Sequence, residues 1–131
     1  LMTPDMANFI GNVHGGDLST LIAAANVQRD GAILAAPVRD TLKASDADHR
    51  IEATVPRAGL WRALTPQAFR RDLLQRALQA AQAAGVTVTD EAMAVERLGL
   101  HPVLVEGRED NLKVTTPADL ALVEFLLARA A

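Results

Sequence analysis

Ala32-Ile33-Leu34-Ala35-Ala36-Pro37-Val38 is an unbroken apolar run of strand length. A strand with one wet face alternates apolar and polar residues, so a run without polar interruption reads as a central parallel strand buried on both faces. Just upstream, Asp17 is the expected N-cap of a short helix. Its inner face is Leu18, Leu21, Ile22 and Ala25, and Asn26 with the turn pair Asp30-Gly31 ends it. Residues 1–16 show no period. Gly15 and Gly16 read as a flexible connection, because no Gly-x-Gly-x-x-Gly or Gly-Lys-Thr pattern follows them.

Downstream of the run, residues 39–64 change character. Ile51, Ala53 and Val55 alternate with Glu52 and Thr54 after the polar break Ser45-Asp46-Ala47-Asp48-His49, a hairpin pattern. With so few large apolar residues the hairpin cannot bury itself, and it is expected to project as an arm over residues 41–64. Residues 39–71 carry seven Lys/Arg against four Asp/Glu, which makes this a basic segment on an acidic chain and suits an anionic ligand or an acidic surface. Thr65-Pro66 is a helix-start dipeptide, followed by Phe69, Leu73, Ala77, Leu78 and Ala81 at helical spacing and by Gly85 as the stop. Val86-Thr87-Val88 reads as a short extended piece. Thr89-Asp90-Glu91 opens another helix with Ala92, Val95 and Leu98 inside, and His101–Val105 is the next strand.

The segment Glu106–Asp119 joins a polar turn, Gly107 to Asn111, to a short strand, Leu112–Thr115, and a helix start, Thr116-Pro117-Ala118-Asp119. Thr116 suits the N-cap, Pro117 the first helical position, and the Asp119 carboxylate can return a hydrogen bond. Lys113 places one ammonium in the strand, beside a loop of acids and amides, where it can meet a phosphate. The final helix is apolar nearly all round through Leu120, Ala121, Leu122, Val123, Phe125, Leu126 and Leu127, so it is expected to pack on more than one side. The alternation of helix and strand gives one α/β domain over residues 1–131.

The totals narrow the function. The chain has 131 residues, half of them hydrophobic, enough for one core and too few for two. A net charge of −3 argues against nucleic acid as a partner, and no apolar run reaches membrane-spanning length. The lack of cysteine leaves no thiolate metal site and fits a reducing compartment, so a soluble cytoplasmic protein is expected. His14, His49 and His101 have no metal-ligand spacing, Asp90-Glu91 is accounted for as a helix start, and Ser19 and Ser45 lack a nucleophile elbow.

Several short motifs in order carry a family resemblance: Pro37-Val38-Arg39-Asp40-Thr41, Arg57-Ala58-Gly59-Leu60-Trp61, Leu64-Thr65-Pro66-Gln67, Thr89-Asp90-Glu91, and Glu106-Gly107-Arg108 with Asn111-Leu112-Lys113-Val114-Thr115. Over residues 17–131 the chain resembles the C-terminal half of 2-C-methyl-D-erythritol 4-phosphate cytidylyltransferase, an enzyme of non-mevalonate isoprenoid biosynthesis; the ribitol 5-phosphate cytidylyltransferases share much of the motif set. The resemblance implies a Rossmann-like nucleotidyltransferase sheet of the nucleotide-diphospho-sugar transferase type, with helices on both faces and a protruding β-hairpin arm. It implies CTP and a polyol phosphate as substrates, Mg²⁺ as cofactor, and a homodimer in which the arm reaches over its partner.

By the same resemblance, Arg57 and Lys113 would position the acceptor phosphate for attack on the α-phosphate of CTP, and Thr41 and Thr65 would hydrogen-bond that substrate. Two phosphates that approach in line repel each other, so fixed cations and donors are needed to offset the repulsion and orient the attacking oxygen. The family's metal-binding aspartate falls at Asp5, in a degenerate stretch Asp5-Met6-Ala7-Asn8, and Asp110 with Asn111 are candidates for the other side of the ion. The family's glycine-rich CTP loop belongs to an N-terminal half that is not in this sequence. The expected domain is therefore incomplete and inactive alone; an oligomerisation module without catalysis is the alternative of another class.

Overall fold

The structure is a computed structural model that describes residues 6–7, 15–112 and 114–130. Its elements in chain order are β1 (Met6–Ala7), α1 (Gly15–Val27), β2 (Ala32–Pro37), β3 (Leu42–Ser45), β4 (Ile51–Val55), β5 (Trp61–Arg70), α2 (Arg71–Ala83), α3 (Glu91–Glu96), β6 (Val103–Glu106) and α4 (Pro117–Ala130). Four strands form one sheet in the order β1-β5-β2-β6, and β3 with β4 forms a separate two-stranded ribbon.

The expected central strand is β2. It lies between β5 and β6, and Ala32 to Ala36 are all buried. Only its pairing with β6 is parallel; β5 runs antiparallel to it, so the sheet is mixed. The period of two sorts the core into two layers. Ala32, Leu34 and Ala36 face α1 through Leu21 and Ala25, together with Leu64, Ala68 and Val105. Ile33 and Phe69 face the opposite way, onto Leu73, Leu74 and Ala77 of α2 and Ala92, Ala94 and Val95 of α3. Gly31 takes φ +94, and a Cβ there would come within 2.2 Å of a Phe69 ring carbon, so the turn into β2 has room for hydrogen only.

β5 corrects the helix start expected at Thr65-Pro66. The strand runs through both residues to Arg70, and α2 begins only at Arg71. Pro66 is tolerated because the ladder is broken at that point: Ile33 pairs with Gln67 and Ala35 with Ala63, so residues 64–66 bulge opposite Leu34. The peptide Thr65–Pro66 is cis. Phe69, expected on a helix face, is a fully buried strand residue. β5 also takes up residues 61–64, with Trp61 opposite Pro37, so the free hairpin is shorter than the expected arm.

Other boundaries shift too. α1 begins at Gly15, so the Gly15-Gly16 pair opens the helix and Asp17 sits within its first turn instead of capping it from outside. Asp90 caps α3 within the expected Thr89-Asp90-Glu91 start, its carboxylate accepting from the Met93 N–H at 2.8 Å. Val86–Val88 and the described residues of Leu112–Thr115 form no strand, having no neighbour to pair with, and β6 begins at Val103. No residue of α4 is buried, against the expectation of packing on several sides, because no described layer lies over its apolar surface. No helix of the described residues is long and apolar enough to cross a membrane.

Candidate functional site at the carboxyl end of the sheet

β2 and β6 are parallel, so their carboxyl ends open on the same edge, the position at which open α/β sheets bind ligands. Three segments meet there: the exit of β2 with Arg39 and Thr41, the foot of the hairpin from Arg57 to Leu60, and the loop Gly107–Asn111 after β6. Backbone bonds fix them. Val38 N–H donates to the Leu60 carbonyl at 3.0 Å, Leu60 N–H to the Arg57 carbonyl at 3.0 Å, and Gly107 N–H to the Ala35 carbonyl at 2.9 Å.

Side chains tie the segments together further. Arg39 Nε pairs with Glu109 Oε1, linking the β2 exit to the β6 loop. Arg57 Nη1 donates to the Arg39 carbonyl at 2.6 Å, anchoring the hairpin foot to the same residue. Arg108 forks onto both carboxylate oxygens of Asp110, at 3.0 and 2.8 Å. Among these three arginines, Arg57 is the one whose bond goes to a carbonyl and not to a carboxylate. Its charge is uncompensated among the described residues, the condition in which a guanidinium can take an external anion.

The hairpin itself stands clear of the sheet. β3 and β4 pair with one another, Lys43 Nζ crosses the ribbon to Thr54 Oγ1 at 2.8 Å, and most side chains of β4 are exposed. Its turn is set by Asp46, whose Oδ1 accepts from the Asp48 N–H at 2.8 Å and the Arg50 N–H at 3.0 Å. His49 follows in the left-handed region at φ 61.

Of the residues expected at the site, Thr41, Arg57 and Thr65 lie at this end of the molecule; the Thr41 and Thr65 side chains are exposed. Lys113 and Asp5 lie outside the described residues. Asn111 is buried and donates from Nδ2 to the Thr65 carbonyl at 2.6 Å, so it holds the β5 bulge against the β6 loop. Asp110 spends both oxygens on Arg108, and no three carboxylate or imidazole groups converge among the described residues. With Asp5 outside the described residues, Asp110 is the one expected metal ligand whose position is described. The Arg39–Glu109 pair was not visible in sequence, because it joins residues 70 apart and belongs to no local pattern.

Two polar arrangements support the site from behind. Gln67, buried in β5, donates from Nε2 to Asp90 at 3.0 Å and accepts from the Ala92 N–H at 3.1 Å, which fixes the start of α3 to the sheet. After the β6 loop, Asp119 Oδ2 accepts from Thr115 N–H, Thr115 Oγ1 and Thr116 N–H, while its own N–H donates to Thr116 Oγ1, the capping box expected from the sequence. The hydroxyl and amide donors of Thr115, then those of Thr116, hold the Asp119 carboxyl below the usual carboxylate range.

Known proteins are similar to this chain in sequence and in fold. The family model described as "IspD: 2-C-methyl-D-erythritol 4-phosphate cytidylyltransferase" matches residues 10–129. A protein of that name from Stenotrophomonas maltophilia (strain K279a) is 61% identical over 120 residues, covering 92% of this chain and 52% of that protein. One from Xanthomonas oryzae pv. oryzae (strain PXO99A) is 63% identical over 118 residues, 90% of this chain and 43% of its own length. The chain thus spans about half the length of the curated relatives it matches. Among solved structures, a 4-diphosphocytidyl-2C-methyl-D-erythritol synthase is 47% identical with a TM-score of 0.76, covering 88% of this chain and 51% of that one. The cytidylyltransferase of Thermus thermophilus is 34% identical with a TM-score of 0.78, covering 88% of this chain and 56% of that one.

Proposed function

Because this chain belongs to the 2-C-methyl-D-erythritol 4-phosphate cytidylyltransferase family, we propose that it supplies the acceptor-binding half of an enzyme that joins CTP to 2-C-methyl-D-erythritol 4-phosphate. In that reaction a phosphate oxygen of the acceptor attacks the α-phosphorus of CTP, the bond to the β-phosphate breaks, and CDP-methylerythritol and pyrophosphate leave. The family match over residues 10–129 carries the reading. The Arg57 guanidinium, uncompensated among the described residues and so open to an external anion, supports it from the geometry.

In this mechanism Arg57 and Lys113 hold the acceptor phosphate, and Thr41 and Thr65 orient the acceptor through their hydroxyls. The fork of Arg57 gives direction and the ammonium of Lys113 adds a compact charge, which together lower the repulsion between two phosphates. The hairpin is proposed to reach a second copy, so that Arg57 and Thr65 complete the site of the neighbour. Its exposed ribbon, which finds no cover on its own sheet, supports that placement. The proposal sets the enzyme in the cytoplasm, where CTP is made. Mg²⁺ is the cofactor the family resemblance suggests, and Asp5 and Asp110 are the carboxylates proposed to hold it, as hard oxygen ligands that would share the ion with the phosphates.

Methylerythritol phosphate is favoured over ribitol 5-phosphate because the relatives at 61% and 63% identity carry the former name. The test is pyrophosphate release by the protein expressed with everything its reading frame encodes around this chain, given CTP, Mg²⁺ and each polyol phosphate in turn. Release with methylerythritol phosphate alone is expected. Release with ribitol 5-phosphate alone, or with neither acceptor, would overturn the assignment.

A further inference from the structure

The opposite end of the sheet carries charge that the proposed transfer reaction does not use. Arg29 in the turn after α1, Arg70 at the end of β5 and Arg76 in α2 line one cleft of about 700 Å³ with Asp30, Asp72, Leu73 and Leu100. β2 separates this cleft from the hairpin foot, since Asp30 precedes the strand and Arg39 follows it. Six strand residues at about 3.3 Å each put the two ends roughly 20 Å apart.

None of the three guanidinium groups forms an ion pair among the described residues. Ion pairs among the described residues are Arg39–Glu109 and Arg108–Asp110, and neither involves the cleft. Its two acids keep their charge but lie beyond ion-pair distance of these arginines and bond to backbone instead: Asp30 Oδ2 accepts from the His101 N–H at 2.9 Å, and Asp72 Oδ1 from the Leu73 N–H at 2.9 Å. The cleft is therefore net basic, three guanidinium groups against two carboxylates. Arg70 makes one long contact, Nη2 to the Asn26 carbonyl at 3.4 Å. Three like charges come from a turn, a strand end and a helix, so fixed backbone brings them to one cleft whatever their mutual repulsion.

Guanidinium forks arriving from three elements match an anion with several separated oxygen sets better than a single phosphate, which one fork and one further cation would satisfy. We propose that this cleft is a second anion site, binding an oligophosphate of two or three linked phosphate groups. Among the described residues the cleft shares none with the proposed transfer site, neither Thr41, Arg57 nor Thr65 lining it.

The probe is tripolyphosphate, titrated at constant ionic strength into the ¹⁵N-labelled chain, with orthophosphate as comparison. Saturable shifts are expected at the amides of Gly31, Arg70 to Arg76 and Leu100 and at the Nε–H groups of the three arginines, with orthophosphate weaker by about tenfold or more. R29Q, R70Q and R76Q are each expected to weaken tripolyphosphate by about tenfold, and R50Q in the hairpin turn to leave it unchanged. The same spectra show that each variant is folded. Orthophosphate binding as tightly as tripolyphosphate, shifts spread over all arginines alike, or R50Q weakening binding as much as R76Q would overturn the proposal in favour of diffuse charge attraction.

Discussion

α2 and α4 are nearly equal in length, 13 and 14 residues, and opposite in use. α2 is rich in arginine and glutamine, yet Leu73, Leu74, Ala77 and Ala81 fall on one stripe and are all buried against the sheet and α3. α4 is far more apolar and buries nothing; Phe125 is 56% exposed and Leu127 65%. Composition states how much a helix can bury and the period states in which direction, but neither supplies the surface to bury against. α2 meets Phe69 and the α3 alanines. α4 has the sequence of an interior helix in a chain that spans about half the length of its relatives.

The contrast breaks most readily on the α2 side. Phe69 is fully buried between β2 and α2, and Phe69→Ala removes its ring from the layer that α2 packs on. A loss of about 3–5 kcal/mol is expected, measured by urea unfolding of this chain, enough to unfold a marginal domain. A loss below about 1 kcal/mol would mean that the α2 layer is not the stabilising one. On the α4 side, Leu127→Gln should change stability by no more than about 0.5 kcal/mol, since a leucine this exposed has little to lose. If it instead cost about 2 kcal/mol or more, the range for a buried leucine, α4 would be packed in solution and the contrast with α2 would vanish.

The same contrast separates what was legible in the sequence from what was not. β2 and the inner stripe of α2 could be read because each declares its environment within a few residues: an unbroken apolar run in one, Leu73, Ala77 and Ala81 at spacings of four in the other. β5 could not be read. Thr65-Pro66 has the chemistry of a helix start, and what makes it a strand is the pairing with β2, about thirty residues away, with a bulge opposite Leu34 to absorb the proline. At the site, Thr41, Arg57, Thr65 and Lys113 came from the resemblance and not from any period. The bonds that organise that end, Arg39 to Glu109 and Asn111 to Thr65, join residues 70 and 46 apart, beyond the reach of any local pattern. The reciprocal Thr116–Asp119 bonds of the α4 capping box lie within four residues and were legible, whereas the two bonds from Thr115 to the same carboxylate were not.

That box gives the smallest expected effect and the sharpest separation of the two helices. The Asp119 carboxylate accepts three hydrogen bonds from Thr115 and Thr116, and these hold its pKa below the ordinary value of 3.8. A carboxyl depressed in the folded state contributes its stabilisation fully above the unfolded value and loses it as pH falls through the folded one, so the window lies below about pH 4. Because α4 buries nothing, loss of the cap should fray that helix alone. Circular dichroism at 222 nm should therefore lose a helical component on acidification while the aliphatic core resonances of α2 and α3 stay in place. Asp119→Asn cannot carry the charge at any pH, so it should show the frayed signal already at neutral pH and no further step of this kind below about pH 4. A wild-type acid transition in which the α2 core resonances and the α4 signal collapse together would show that α4 is coupled to the core after all.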